Sequence, residues 1–259
     1  MPTAADDIVI IRCLSDNYAY LVHDASSGDT VAIDAPEATP IQAELESRGW
    51  RLSHILLTHH HADHIDGVAA LRAAHPGAQV WGAAADAHRL PPLDHAVAPG
   101  DTVSTGAGDF AVMEASGHTV GHIAYHLPAR QALFSGDSLM VHGCGRLFEG
   151  TAEQMFDTIA GLSRLPEDTR LYSGHDYARA NLDFAARYAP DPDALAQRQA
   201  ELPVLAEGGI PTVGVTLGAE KRLNPYLRCA LPQVAEAAGL PDAPALKVFT
   251  EIRRQKDNA

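Results

Sequence analysis

The stretch Ile55–His64, ILLTHHHADH, sets four histidines and an aspartate directly behind an apolar run. A continuous apolar run of this kind, HILLT, reads as a strand buried on both faces. In an extended segment alternate side chains share a face, so His59 and His61 converge while His60 points away. Asp63 and His64 follow where the chain turns into a helix, within reach of a second position beside the first. Imidazole together with carboxylate suits zinc, manganese or iron. Burying so many imidazoles and a carboxylate with nothing to bind would be costly, so the cluster is read as a metal site.

Five candidates in six positions do not fill two sites, and three later segments have the same character. His118 lies in EASGHTVGH, Asp137 in LFSGDS and His175 in RLYSGHD. Each joins an apolar strand, a small or glycine-containing turn, and a His or Asp. Strand ends at one sheet edge are where α/β folds gather functional side chains, so these groups are expected to meet. A lone histidine behind a strand is more commonly a hydrogen-bonded surface or core residue. On that ground His23, His54, His75, His88, His95, His126 and His142 carry no assignment, and His122 reads as a partner of a ligand or as packing.

Around this centre the chain alternates strands and helices. IVIIRC, YAYLVHD and TVAIDAP read as strands separated by the turns LSDN and SSGD. PIQAELESRGW reads as a helix with Pro40 near its start and Gly49 near its end. DGVAALRAAH reads as a helix ending at Pro76, followed by a strand at AQVWGAA. FAVMEAS, HIAYHLP, ALFSGD and RLYSGH are further strands. Thr151 and Gln154 have capping-box spacing before a helix whose Met155, Ile159 and Leu162 share a face. From about Tyr177 the texture is helical: YARANLDFAARYA, DPDALAQRQAELPVLAE, with Asp191 and Pro192 at its start, and PALKVFTEIRRQK. The expected organisation is an α/β domain over residues 1–175 and a smaller helical domain over 176–259.

Composition narrows the function. The 259 residues carry a formal net charge of −14, which argues against nucleic acid as a partner and requires a local basic patch for any anionic substrate. Three widely spaced cysteines, Cys13, Cys144 and Cys229, suggest neither disulfides nor a zinc ribbon and fit a cytoplasmic protein. MPTAADDIVIIRC has no secretory-leader pattern, and no apolar run approaches the ~20 residues of a membrane span. No Gly-x-Ser-x-Gly elbow is present. Cys144 in HGCGR reads as a small residue in a tight turn, and GAGDFA at Gly106 as a turn rather than a dinucleotide loop.

THHHADH closely resembles the signature of the metallo-β-lactamase superfamily, and His118, Asp137 and His175 fall in its remaining ligand positions. LSDNYAYLV, SGHTVGHIAY, SGDSLMVHGCGRLFEGTAEQM, SGHDYARANLDFA and NPYLR together resemble the hydroxyacylglutathione hydrolase (glyoxalase II) family within it. The likeness runs from about Cys13 to Lys256. It implies an αββα sandwich with two divalent metal ions, taken as zinc with iron or manganese as alternatives. His59, His61 and His118 would hold one ion, Asp63, His64 and His175 the other, and Asp137 would bridge them. Such a pair, roughly 3.5–4 Å apart, activates a shared water and polarises a carbonyl. That suits hydrolysis of S-D-lactoylglutathione to glutathione and D-lactate, the second step of methylglyoxal removal, with Asp63 and Asp137 as the catalytic carboxylates. Arg146, Phe148, Tyr177, Arg253 and Lys256 would hold the glutathione part. No nucleic acid or membrane partner is expected, and a monomer is.

Three positions depart from the family pattern: Arg146 where Lys is common, Phe148 where Tyr is common, and Asp66 where Gly is common. Arginine still binds a carboxylate, with different geometry, and Phe148 keeps the aromatic surface without the hydroxyl. The alternative function is a glutathione persulfide dioxygenase with one iron on two His and one Asp. A β-lactamase or lactonase fits the helical C-terminal part less well. A metal-stabilised binding protein without catalysis fits poorly with an intact ligand set.

Overall fold

A computed structural model describes residues 8–188 and 191–259. The leader-free reading of residues 1–7 and the end of YARANLDFAARYA at residue 189 lie outside them. By internal contacts the chain divides into two compact units. One is the chain up to Glu114 with Gly121–Gly136, and the other is Ala115–Val120 with Asp137–Ala259.

In the first unit, β1 (Ile8–Cys13), β2 (Asn17–His23), β3 (Thr30–Ile33), β4 (His54–Leu56), β5 (Gln79–Ala83) and β6 (His95–Val97) form one sheet in that order. The first three pair antiparallel. From β3 to β6 the pairing is parallel, with Ala32 opposite Ile55 and Ile55 opposite Val80. Parallel neighbours need crossovers, supplied by α1 (Ala38–Arg48) and then by α2 (Ala62–Ile65) and α3 (Val68–Ala74). Helix α1 stops where Gly49 enters the left-handed region at φ 68° and bonds back to the last turn. Alternation along the strands sorts the faces. Ala19, Leu21, Ala32, Ile55, Leu57 and Val80 pack in one cluster with Ile41, Leu45, Val68 and Leu71 of the helices.

The opposite face meets a second, antiparallel set: β7 (Thr102–Thr105), β8 (Gly108–Glu114), β9 (Ile123–Leu127) and β10 (Ala132–Gly136). Tyr20 of β2 lies 5.4 Å from the Phe134 ring of β10, and the Tyr125 hydroxyl donates to the Leu57 carbonyl at 2.9 Å. Both layers are therefore closed by buried aromatics, each worth about 1.5–3 kcal/mol on burial.

The second unit contains the hairpin β11 (Leu139–Met140) and β12 (Gly143–Cys144), then α4 (Ala152–Leu162), β13 (Arg170–Ser173), α5 (Ala178–Ala185), α6 (Pro192–Glu207), β14 (Val215–Thr216), α7 (Leu217–Leu223), α8 (Pro232–Ala237) and α9 (Ala245–Asp257). Both halves of the Thr151–Gln154 capping box form, and Met155, Ile159 and Leu162 are buried. The Asp191 carboxylate caps α6 by accepting from Ala194 N. Phe249 of α9 packs edge-on against Phe156 and Tyr226.

The expected helix DGVAALRAAH is α3, and Asp66 and Gly67 separate it from the short α2 that precedes it. A Cβ at Gly67 would lie 2.7 Å from the Glu37 carbonyl carbon, so the chain passes here only as glycine. The short elements β6, β7, β11, β12, β14, α7 and α8 have no counterpart in the sequence reading. Among the described residues no helix is long and apolar enough to cross a membrane.

Candidate metal centre

Four of the expected ligands sit in the first unit, beyond the carboxyl end of β4. Leu57 N donates to Trp81 O, so the parallel ladder still guides the chain as it reaches Thr58–His61. Asp34, just past β3 with φ 56°, is buried beside it. Its carboxylate accepts from Thr58 N and Thr58 Oγ1, both at 2.8 Å. His64 Nδ1 lies 2.8 Å from the same carboxylate, and His59 Nδ1 lies 3.0 Å from Thr58 Oγ1. The Thr58 hydroxyl donates its proton to Asp34, so it accepts from His59. Both imidazoles are thereby assigned the Nδ1–H tautomer, which leaves Nε2 as the lone-pair nitrogen.

The donor atoms of His59 and His61 lie within 4.8 Å of one another, as do those of His59 and His64 and those of Asp63 and His64. The His59 ring is 4.7 Å from His61 and 4.2 Å from His64, centroid to centroid, and His122 stacks on it at 4.6 Å. Asn17 Nδ2 donates to Asp63 Oδ2 and to the Asp63 carbonyl, fixing that carboxylate. His60 is turned aside as the alternation predicts: its Nδ1 is 3.1 Å from the buried carboxylate of Asp86, which also holds Arg89.

The other three ligands sit in the second unit. Ser138 Oγ donates to Ala115 O and Thr158 Oγ1 to Ser116 O, which pins the loop carrying His118. His118 Nδ1 donates to the Arg146 carbonyl at 2.7 Å, again presenting Nε2. Asp137 Oδ2 lies 3.4 Å from His118 Nε2 and 3.2 Å from His175 Nε2. One carboxylate oxygen thus stands beside two ring nitrogens. Gly145 N bonds to Ser138 O, and a Cβ at Gly145 would collide with the Asp137 carbonyl, so this tight return also requires glycine.

The donor set fits divalent metal. His59, His64 and His118 each have Nδ1 committed to an oxygen, with Nε2 left to ligate. The carboxylates of Asp63 and Asp137 stand beside ring nitrogens.

The expected substrate residues all lie in the second unit. Phe148 and Tyr177 are exposed, and Tyr177 stacks on His175 at 4.8 Å. Arg146 is half exposed, with Nε 3.3 Å from Asp257 Oδ1; such a surface pair is worth about 0–1 kcal/mol and is easily exchanged. Arg253 is buried, donating to the carbonyls of Cys144 and Gly145 and to Asp257. Lys256 Nζ donates to Ala180 O and lies 5.0 Å from the Phe184 ring centroid. Burial, then the nearby Arg253 and Arg187 charges, lowers its pKa. Cys144 is buried, and desolvation pushes its thiol up to about 11, which fits the reading of a turn residue rather than a nucleophile. Asp66 is exposed at the end of α2.

The sequence reading missed Asp34, Thr58 and Asn17, which hold expected ligands in place, and Asp86, which holds His60 aside from them. A signal existed for Asp34: TVAIDAP repeats the pattern of strand followed by ligand-type residue.

Two family models match the chain. The metallo-beta-lactamase superfamily model matches residues 15–175, and the hydroxyacylglutathione hydrolase C-terminus model matches residues 176–259. The hydroxyacylglutathione hydrolase of Ruegeria pomeroyi is 52% identical over 252 residues, covering 97% of this chain and 98% of the relative. That of Cereibacter sphaeroides is 54% identical over 251 residues, with the same coverage. The chain belongs to the hydroxyacylglutathione hydrolase family. The hydroxyacylglutathione hydrolase fold is the metallo-β-lactamase fold followed by a helical C-terminal domain. The crystal structure of ETHE1 from Myxococcus xanthus superposes with a TM-score of 0.62 at 28% identity, covering 96% of this chain and 98% of that one. Family and donor set together support binding of divalent metal.

Proposed function

We propose that this chain hydrolyses S-(2-hydroxyacyl)glutathione, with S-D-lactoylglutathione as substrate and glutathione and D-lactate as products. The observation that carries the reading is Asp137 Oδ2 set between His118 Nε2 and His175 Nε2. Those three ligands are too few for two sites, and the four expected ligands of the first unit divide into the pairs His59/His61 and Asp63/His64. The proposal joins them: His59, His61 and His118 on one ion, Asp63, His64 and His175 on a second, and Asp137 shared. When bound, two divalent ions, zinc or in its place iron or manganese, supply hydroxide at neutral pH and polarise the thioester carbonyl.

The protein groups do the positioning. Asp63, held by Asn17, orients the attacking oxygen. Asp34 and the Arg146 carbonyl hold His64 and His118 in register. The thiolate of glutathione is a good leaving group, so no general acid at sulfur is required. Arg146, Arg253 and Lys256 answer the carboxylates of glutathione, and Phe148 and Tyr177 pack against its body. In this reading residues 1–175 form the catalytic domain and 176–259 the substrate-binding domain. The enzyme acts as a cytoplasmic monomer, without nucleic acid or membrane partners, which the charge of −14 and three free cysteines support.

The test is thioester hydrolysis by protein purified without added metal, with metal analysis of the same sample. Turnover with close to two metals per chain, both lost in Asp137→Asn, is the expected outcome. Inactivity toward the thioester, with one iron per chain and oxygen uptake on glutathione persulfide, would replace the proposal with the dioxygenase reading.

A further inference from the structure

We propose that the second unit holds a separate binding site for a medium-chain aliphatic carboxylate. A cavity of about 410 Å³ lies between α6, the segment 210–216 and α7. That volume is within the range of small-ligand sites. None of its lining residues belongs to the ligand or substrate set described above.

The polar end of the cavity is built rather than incidental. Arg198 is 6% exposed. Its Nε donates to His142 Nε2 at 3.0 Å, Nη1 to Glu201 at 2.8 Å and Nη2 to Thr212 O at 2.8 Å. His142 is in turn held by the buried Glu220, with Nδ1 2.9 Å from Oε1. A guanidinium carries five N–H groups, so two donors of Arg198 remain at the cavity wall, in a side chain removed from water.

The charge around it is unbalanced. Glu201 answers Arg198, and Asp191 answers Arg222. Arg170 lines the same wall and donates to Gly214 O, with no ion-pair partner among the described residues. A surplus positive charge in a chain of net −14 marks a place for an anion. Glu201 is the one carboxylate in the wall among the described residues, and its side chain is 48% exposed. It occupies an Arg198 donor while remaining able to swing into water, so it stands where the ligand carboxylate docks. Most of the remaining wall is apolar, with Leu205, Ile210, Val213 and Leu223 beside the uncharged Gln197, which suits an aliphatic chain rather than a second charge.

The probe is octanoate, titrated by calorimetry into the metal-loaded full chain. Saturable one-to-one binding is expected. It should be lost in Leu205→Trp, which fills the cavity, and weakened about tenfold in Arg170→Gln, which removes a charged contact. Glu201→Gln, which removes the competing carboxylate, should tighten it. Wild-type melting temperature and thioester turnover in Leu205→Trp would show that the cavity, not the fold, was changed; if that variant unfolds, the two charge variants decide. No binding at millimolar octanoate overturns the proposal. So does an unchanged Kd in folded Leu205→Trp, which would place octanoate elsewhere, or equal affinity for 1-octanol, which would deny the arginines a role.

Discussion

At Asp34 three donors converge on one carboxylate: Thr58 N, Thr58 Oγ1 and His64 Nδ1. Through Thr58 Oγ1 it also sets His59. Two of the expected ligands thus take their tautomers from one carboxylate. Asn is the informative replacement, because it tolerates the left-handed backbone that Asp34 adopts at φ 56°. Its amide supplies one acceptor where the carboxylate supplies two, so either Thr58 or His64 loses its partner. Asp34→Asn is expected to weaken metal affinity about 10–100-fold, measured by competition with a chromophoric chelator. Wild-type affinity would show that the carboxylate is dispensable for ligand orientation. This residue also marks the limit of sequence reading. The expected ligands stand out in sequence because their segments follow strands and they are of metal-binding types. Their orienting partners do not, since Asn17 and Asp34 are ordinary residue types until the fold brings them close. The Arg146 carbonyl that holds His118 leaves no trace in sequence at all.

Within the second unit, the hairpin β11–β12 is held by side chains of the helices. Asn181 of α5 donates to Val141 O, and Glu220 of α7 accepts from His142 N. Asn224 donates to Met140 O and Gly143 O, and Arg253 of α9 to Cys144 O and Gly145 O. Five carbonyls and one N–H of a segment too short to pair fully in a sheet are satisfied by side chains. The next carbonyl, that of Arg146, receives His118 Nδ1. Arg253 therefore reaches the expected ligand His118 through the backbone, besides standing in the proposed substrate set. Lys in its place offers a point charge without the fork that spans two carbonyls and Asp257. Arg253→Lys is expected to raise KM and also to speed metal release to chelator by about tenfold. A raised KM with wild-type metal release would confine Arg253 to the substrate. Long periodic elements such as α4 and α9 were readable because their apolar spacing extends over several turns. β11, β12 and β14 are two residues long, and no periodicity exists at that length. The break at Gly67 was hidden for a different reason: it answers a close approach by Glu37, thirty positions earlier.

Charge is a property of the whole molecule, and here it opposes the local chemistry. A net −14 repels an anionic thioester at long range, while in the proposed function Arg146, Arg253 and Lys256 attract it at contact. Ionic strength separates the two because screening acts on distance. The Debye length falls from about 30 Å at ~10 mM salt to about 8 Å at ~150 mM, which removes the long-range repulsion and leaves contact pairs largely intact. The half-buried Lys256 is less screened than the exposed Arg146. Thus kcat/KM for S-D-lactoylglutathione is expected to rise modestly, about twofold, as salt increases through this range. Lys256→Ala, with less local attraction to lose, should rise by at least as much from a lower starting value. Steady-state kinetics at fixed pH across the salt series measures both. A fall of kcat/KM from the first addition of salt would mean that the basic groups govern encounter as well as contact, and that the acidic surface has no part in substrate approach.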